Sequence, residues 1–70
     1  MPLTMAPEGR AMKITKILAD ANVKKRLESL GITVMTELTV VSGGGGNVIC
    51  LIKGGRLALD KDMARKIFVA

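Results

Sequence analysis

Short stretches of alternating or β-branched apolar residues recur along this 70-residue chain, and each predicts a β-strand. The first stretch opens at Ala11, and Met12 and Ile14 fall on the face that would point inward. The remaining strands are predicted at residues 36–42, 48–53, 56–59 and 66–69. A glycine-rich connection at residues 43–47 joins the second and third strands as a hairpin. Five short strands with one helix in the first crossover predict a small barrel.

A short amphipathic helix is predicted between the first two strands, over residues 23–30. Val23, Leu27 and Leu30 recur at spacings of four and three residues, so they share one helical face. Gly31 follows where the backbone would turn left-handed, and Ile32 comes next, where it can touch Leu27. A helix this short is not stable alone in water. We therefore expect it to pack over an open end of the barrel, with Leu27 as its most buried residue.

The two ends of the chain carry weaker patterns. Residues 1–8 contain two prolines and show no sustained period, so we expect a lead-in along the surface before a domain at residues 9–70. Asp60 is a suitable N-cap for a single helical turn at Lys61–Ala64, just before the last strand. Asp20 or Asn22 can cap the first helix in the same way.

The third strand is apolar on both faces. Val48, Cys50 and Ile52 lie on one face, and Ile49 and Leu51 lie on the other. A central strand packed on both sides explains this pattern, and so does a strand with one face kept for a partner. If the second face is exposed, the chain should associate weakly with itself or use this strip on its partner.

The charge of the chain favours acidic partners. Eleven Lys or Arg residues stand against six Asp or Glu residues, giving a formal charge of +5. Nucleic acid, a membrane surface or an acidic protein face would each be attracted. Phe68 is the only aromatic residue, which argues against base stacking on single strands. No apolar run approaches the length of a membrane helix, and Cys50 stands alone, so we expect a cytoplasmic protein.

The residue types present do not predict catalysis. The chain contains no His, so Cys50 has no imidazole to act as its base or co-ligand. Asp60 and Asp62 are too few to hold a hard divalent ion, which prefers about six oxygen ligands. The glycines at 43–46 lead into a strand and not into a helix, which favours a hairpin loop over a phosphate loop. We therefore expect a binding module without enzyme activity, cofactor or metal site.

Three consecutive cations, Lys24, Lys25 and Arg26, stand in the first turn of the predicted helix. That end carries the positive pole of the helix dipole, where each cation is unfavourable by about 0.3 to 1 kcal/mol. The residues either form a solvated face of a basic protein or serve a partner, since a local rule broken without compensation often marks function. Together with Ile49 and Leu51, they are the candidate partner-binding residues.

The order and spacing of several motifs resemble the ferrous iron transport protein A (FeoA) family of small SH3-like barrels. Pro-Glu-Gly at 7–9 resembles its opening Pro-x-Gly, and residues 26–32 resemble its basic helix ending in Leu-Gly-aliphatic. Residues 56–59, followed by Ala64 and residues 67–69, resemble its closing segment. The match covers essentially the whole domain. The chain departs from the family at Val34-Met35, where Pro-Gly is common before the second strand.

The resemblance implies a bacterial or archaeal protein that assists the ferrous iron transporter FeoB, a membrane protein with a GTP-binding domain. Such a protein acts as partner or regulator and is not itself the conduit. Contact with FeoB would recruit it to the inner face of the membrane. A small barrel that contacts nucleic-acid phosphates through its basic surface is the alternative, and a metal-binding carrier is the third hypothesis.

Overall fold

The computed structural model describes residues 1–44 and 46–70 and confirms the mainly β fold. Within these ranges a 3-10 turn at Leu3–Met5 precedes five strands and two helices. In chain order they are β1 (Ala11–Ile17), α1 (Ala21–Ser29), β2 (Glu37–Gly44), β3 (Asn47–Ile52), β4 (Gly55–Asp60), α2 (Lys61–Ala64) and β5 (Ile67–Val69). All strand pairs are antiparallel, in the order β4-β3-β2-β1-β5. This is the expected five-stranded SH3-like barrel, with α1 in the first crossover.

The core is aliphatic and receives side chains from every strand. Met12 and Ile14 are buried in β1, and the intervening Lys13 is exposed, as the alternation predicts. Leu27 is the buried residue of α1, at 1% exposure, which confirms its predicted place. Among the described residues no polar or charged side chain is buried, so burial of aliphatic surface is the main interaction within the core.

The start of α1 differs from the prediction. The helix begins at Ala21, two residues earlier, because Asp20 caps it by accepting a hydrogen bond from the Val23 N–H at 2.9 Å. Lys24 therefore lies beyond the first turn, and Arg26 lies in the last turn, where a cation is favourable. The prediction that the three cations lie at the positive pole of the helix dipole was therefore wrong. The helix dipole gives no argument that these residues have a function.

The end of α1 follows the predicted pattern. Gly31 has φ of 89°, in the left-handed region, and its N–H donates to the Glu28 carbonyl at 2.9 Å. The Ile32 N–H donates to the Leu27 carbonyl, also at 2.9 Å. These two bonds make the Schellman motif, and Ile32 is fully buried after it. The motif ends the helix and directs the chain back toward the core.

The first residues pack into the barrel, contrary to the expected surface lead-in. Leu3 is buried in the core at 1% exposure. Met1 and Val69 exchange backbone hydrogen bonds of 2.9 and 2.8 Å, and Pro2 forms a bridge with Phe68. The sequence of residues 1–8 shows no periodic pattern, so it gave no indication that Leu3 packs into the core.

The β2–β3 hairpin is confirmed, with a shorter connection than predicted. Gly43 and Gly44 belong to β2, and Asn47 begins β3. Gly45, which the predicted connection also included, lies outside the described residues. A register shift between Val40 and Ser42 indicates a β-bulge near the middle of β2.

Candidate functional site

A strained turn at residues 33–36 joins the end of α1 to β2. Its closing hydrogen bond runs from the Thr36 N–H to the Thr33 carbonyl at 3.1 Å. Met35 has φ of 78°, and it is the one non-glycine residue with positive φ in the described ranges. A positive φ at the third position is typical of a type II turn, which usually places Gly there. A side chain with a Cβ is unfavourable in this conformation by roughly 1 to 2 kcal/mol.

Several hydrogen bonds hold this turn in place. The Met35 N–H donates to the Ile14 carbonyl at 2.7 Å, and the Ile14 N–H donates to the Thr36 carbonyl at 2.9 Å. The hydroxyls of Thr33 and Thr36 are 2.8 Å apart and share a hydrogen bond. Strained residues persist where the surroundings fix them, and they are concentrated at functional positions. In this turn the side chains of Val34 and Met35 are exposed to solvent, at 52% and 67%.

The turn borders a groove between the end of β1 and α1, which we call the α1–β1 groove. Its volume is about 600 Å³, within the range of small binding sites. The buried side chains of Ile17 and Ile32 line it, and the half-exposed Leu18 and Val34 stand at its border. Exposed apolar side chains gathered around a concavity are typical of an interaction surface.

Charged side chains also line the α1–β1 groove. Lys16 comes from β1, and Lys24 and Glu28 come from successive turns of α1. Neither lysine takes part in an ion pair within the described ranges, so both are available to an external acidic group. The groove is therefore apolar along its floor, with an excess of positive charge at its border.

The structure separates the three predicted cations. Lys24 lines the α1–β1 groove, Lys25 is exposed, and Arg26 lines a smaller groove of about 150 Å³ beside β4. Residues two apart on a helix point about 200° away from each other, so Lys24 and Arg26 lie on opposite sides of α1. The three cations therefore do not form one patch on a single face of α1.

The second predicted strip, Ile49 and Leu51, is partly open. Leu51 is 40% exposed and Ile49 is half-buried, while Val48 and Cys50 on the other face are buried. The side chain of Leu51 lines a broad groove of about 660 Å³ that also includes Gly31. β3 is therefore fully packed on one face only, and the strip on its other face does not line the α1–β1 groove.

Three residues that line the α1–β1 groove were not selected as site residues by the sequence analysis: Lys16, Leu18 and Val34. Met35 follows Val34 in the adjoining turn. The replacement of Pro-Gly by Val34-Met35 was noted only as a departure in turn geometry. Two large apolar residues at the tip of a turn could have indicated a binding surface, because turns favour Gly, Pro and polar residues. Leu18 gave no such signal, since its exposure depends on how β1 ends against α1.

Cys50 is the free cysteine of the described residues, and it is completely buried. Burial raises the pKa of its thiol above the ordinary value. Its Sγ donates a weak hydrogen bond to the Leu57 carbonyl at 3.6 Å. A protonated, enclosed thiol is a poor nucleophile, which agrees with the expected packing role.

Asp60 and Asp62 have the capping and solvated roles expected of them. Asp60 caps α2 by accepting from the Met63 N–H at 2.7 Å, and Asp62 pairs with Arg65 at 3.3 Å on the surface. In the part of the chain that the structure describes, no three His, Cys, Asp or Glu residues are grouped to hold a metal ion. None of its described helices is long and apolar enough to cross a membrane.

Comparison with known proteins gives a consistent set of relatives. The FeoA domain family matches residues 1–70. The chain is 37% identical to the Fe(2+) transport protein A of Methanocaldococcus jannaschii over 68 residues, which span 97% of this chain and 83% of that protein. The crystal structure of an iron uptake regulatory protein (FeoA) is similar with a TM-score of 0.89 at 26% identity, covering 99% of this chain and 93% of the other.

A manganese-dependent transcriptional repressor shares the fold. Its TM-score is 0.90 at 22% identity, and the match covers all of this chain but 40% of the repressor. At this identity the likeness shows the fold alone.

Proposed function

This chain belongs to the FeoA family, and from that premise we propose that it is an accessory protein of ferrous iron uptake that binds the membrane transporter FeoB. The name of its relative in M. jannaschii, an Fe(2+) transport protein, supports the role in iron transport. The chain acts by contact with the transporter, as a partner or regulator. Its described residues offer no cluster of metal ligands that would assign it a carrier role.

The observation that carries the binding part of the proposal is the α1–β1 groove. Leu18 and Val34 line it at 51% and 52% exposure, and Met35 in the adjoining turn is 67% exposed. Apolar side chains exposed around a concavity are typical of an interaction surface. The backbone of Met35 is strained, at a position where Gly would remove the strain. A partner that covers these side chains would supply the favourable burial that the free chain lacks.

The charges of the groove define the partner surface. A segment with an apolar ridge would lie on Ile17 and Ile32, while acidic side chains at its border would meet Lys16 and Lys24. Such charge pairs at a rim mainly accelerate association and select the partner, and they are screened by salt. We therefore place the FeoB contact in this groove, with Lys24 as the one predicted cation that takes part.

Affinity capture from native membranes tests the proposed partner. The tagged chain is incubated with membranes of its own host solubilised in mild detergent, and the captured protein and nucleic acid are both identified. The proposal expects FeoB, with recovery reduced by added salt. Recovery of RNA in its place, with binding that falls steeply as salt rises, would support the nucleic-acid alternative and contradict the proposal.

A further inference from the structure

The outer edge of β4 is open. β4 pairs with β3 on one side, and among the described residues no strand pairs with its other side. The opposite end of the sheet is different, because residues 1–2 lie along β5 and bond to it. An uncovered edge presents a row of unpaired backbone N–H and C=O groups to any strand that approaches.

The pairing with β3 determines which residues of β4 face this open edge. The Lys61 N–H donates to the Gly46 carbonyl at 3.0 Å, on the β3 side, and Ile52 pairs with Gly55 across a two-residue turn. Both facts show that the odd-numbered residues of β4 direct their backbone N–H and C=O groups toward β3, where they form the ladder hydrogen bonds. In an antiparallel ladder the alternate residues point their backbone groups the other way. Arg56 and Ala58 therefore present both backbone groups to the open edge. Asp60 presents its N–H there, because the carbonyl of an N-cap residue accepts the first bond of its helix.

The sequence of β4 complements itself around Ala58. When two copies run antiparallel with Ala58 opposite Ala58, Arg56 of each copy lies opposite Asp60 of the other, and Leu57 lies opposite Leu59. Arg56, Ala58 and Asp60 are exposed, so the opposite charges meet on the solvent side. Leu57 and Leu59 lie on the core side, half-buried and buried. Opposite charges and apolar residues facing each other across a ladder stabilise strand pairing.

Asp60 can serve this contact and its own helix at the same time. Its Oδ1 accepts the capping bond from the Met63 N–H, and its Oδ2 accepts no hydrogen bond from the described residues. The Oδ2 atom is therefore available to an arginine. Arg56 likewise takes part in no ion pair in the described ranges. Ala58, at the centre, is small enough for the two strands to approach closely.

We propose that the open edge of β4 binds a second copy of this chain, through a two-fold antiparallel β4–β4 contact centred on Ala58. The contact closes the exposed edge and joins two sheets into one. It lies on the Arg26 side of α1, away from the α1–β1 groove, so each protomer keeps that groove free for a transporter. A contact through one short strand is small, and small interfaces give weak, transient association.

Sedimentation equilibrium of the unmodified chain and two variants at low salt tests this contact. Ala58→Pro removes an N–H that the monomer does not use and places Pro on an edge, where it is tolerated. Ala58→Ser is its matched control, because it keeps the N–H. We expect a concentration-dependent dimer for the unmodified chain and for Ala58→Ser, and a dissociation constant at least about tenfold higher for Ala58→Pro. Circular dichroism checks that every variant is folded.

Arg56→Glu keeps the test decisive if the proline variant is poorly folded. This exposed change puts two acidic residues opposite each other, so the dimer should weaken several-fold, and the difference should shrink as salt rises. Amide exchange measured by NMR gives a direct readout, because the Ala58 N–H should become protected as the concentration rises. A chain that stays monomeric at millimolar concentration, a dimer unaffected by Arg56→Glu, or a dimer with an unprotected Ala58 amide would each overturn the proposal.

Discussion

The backbone of Met35 carries more strain than a glycine would at the same position. Its φ of 78° lies in the left-handed region, and its side chain is 67% exposed, so burial does not compensate for the strain. Met35→Gly should therefore raise the free energy of unfolding, by about 0.5 to 1 kcal/mol after the greater chain entropy of Gly is subtracted. Denaturant midpoints at an unchanged m-value measure the change.

Met35→Ala is the matched control for this prediction. Alanine loses the same exposed side chain but keeps a Cβ in the left-handed region, so it should not be stabilising. If the side chain serves the transporter, both variants should bind FeoB more weakly, and Met35→Gly would be the more stable protein with the lower affinity. Equal stability of the glycine and alanine variants would show that the turn is not strained.

We expect the buried thiol of Cys50 to lower the free energy of unfolding in alkaline solution. Burial raises its pKa in the folded state, so above the unfolded thiol pKa of about 8.5 the unfolded chain releases a proton that the folded chain retains. Proton release from the unfolded state favours unfolding, and stability should fall as the pH rises from about 8 to 10. The stability difference between the chain and Cys50→Ala, followed over this range, should narrow with pH. A constant difference would show that the thiol titrates alike in both states.

At the scale of secondary structure, α1 is anchored to the core by the buried Leu27 and the half-buried Val23, and it ends at Gly31. Leu27 is 1% exposed, so Leu27→Ala should lower the free energy of unfolding by about 2 to 5 kcal/mol. Lys25→Ala is the control on the exposed face of the same helix, and it should change stability by less than about 0.5 kcal/mol. A comparably small loss for Leu27→Ala would mean that α1 is not packed against the barrel.

The elements themselves could be predicted because each has a local signal. The alternation of apolar and polar residues predicted β1, and β-branched residues predicted β2 and β3. The capping residue Asp60 predicted α2 at its observed bounds. Gly31 marked the end of α1, since only the left-handed region fits the Schellman motif. The start of α1 was ambiguous because Asp20 and Asn22 are both suitable caps, and that choice moved the three cations out of the first turn.

At the scale of the whole molecule, the sequence was informative about the family and less informative about the surface. Leu3 is buried and Leu18 is exposed because of how segments distant in sequence pack together. The local pattern of apolar residues does not contain that information. The cations at 24–26 are adjacent in sequence, yet the helix divides them between two grooves. Of the residues that line the α1–β1 groove, the sequence analysis selected Lys24, while Lys16 and Leu18 needed the fold to bring them into the same groove.

The net charge of +5 complicates any test of the groove, because every lysine attracts an acidic surface to some degree. Two double variants separate local from general attraction. The first, Lys16→Glu with Lys24→Glu, is the groove pair and reverses the charge at the border of the groove. The second, Arg10→Glu with Lys61→Glu, is the control pair and reverses the charge of two exposed cations elsewhere. Each pair removes four charge units, two per substitution, and leaves a net charge of +1.

The most direct test is the affinity of these purified variants for FeoB in lipid nanodiscs at low salt. The unmodified chain should bind, the groove pair should raise the dissociation constant at least about tenfold, and the control pair should change it by less than about threefold. All variants should keep the same thermal midpoint within a few degrees, since the replaced side chains are exposed. Equal loss of binding in both pairs, or normal binding by the groove pair, would contradict the assignment of the α1–β1 groove as the transporter contact.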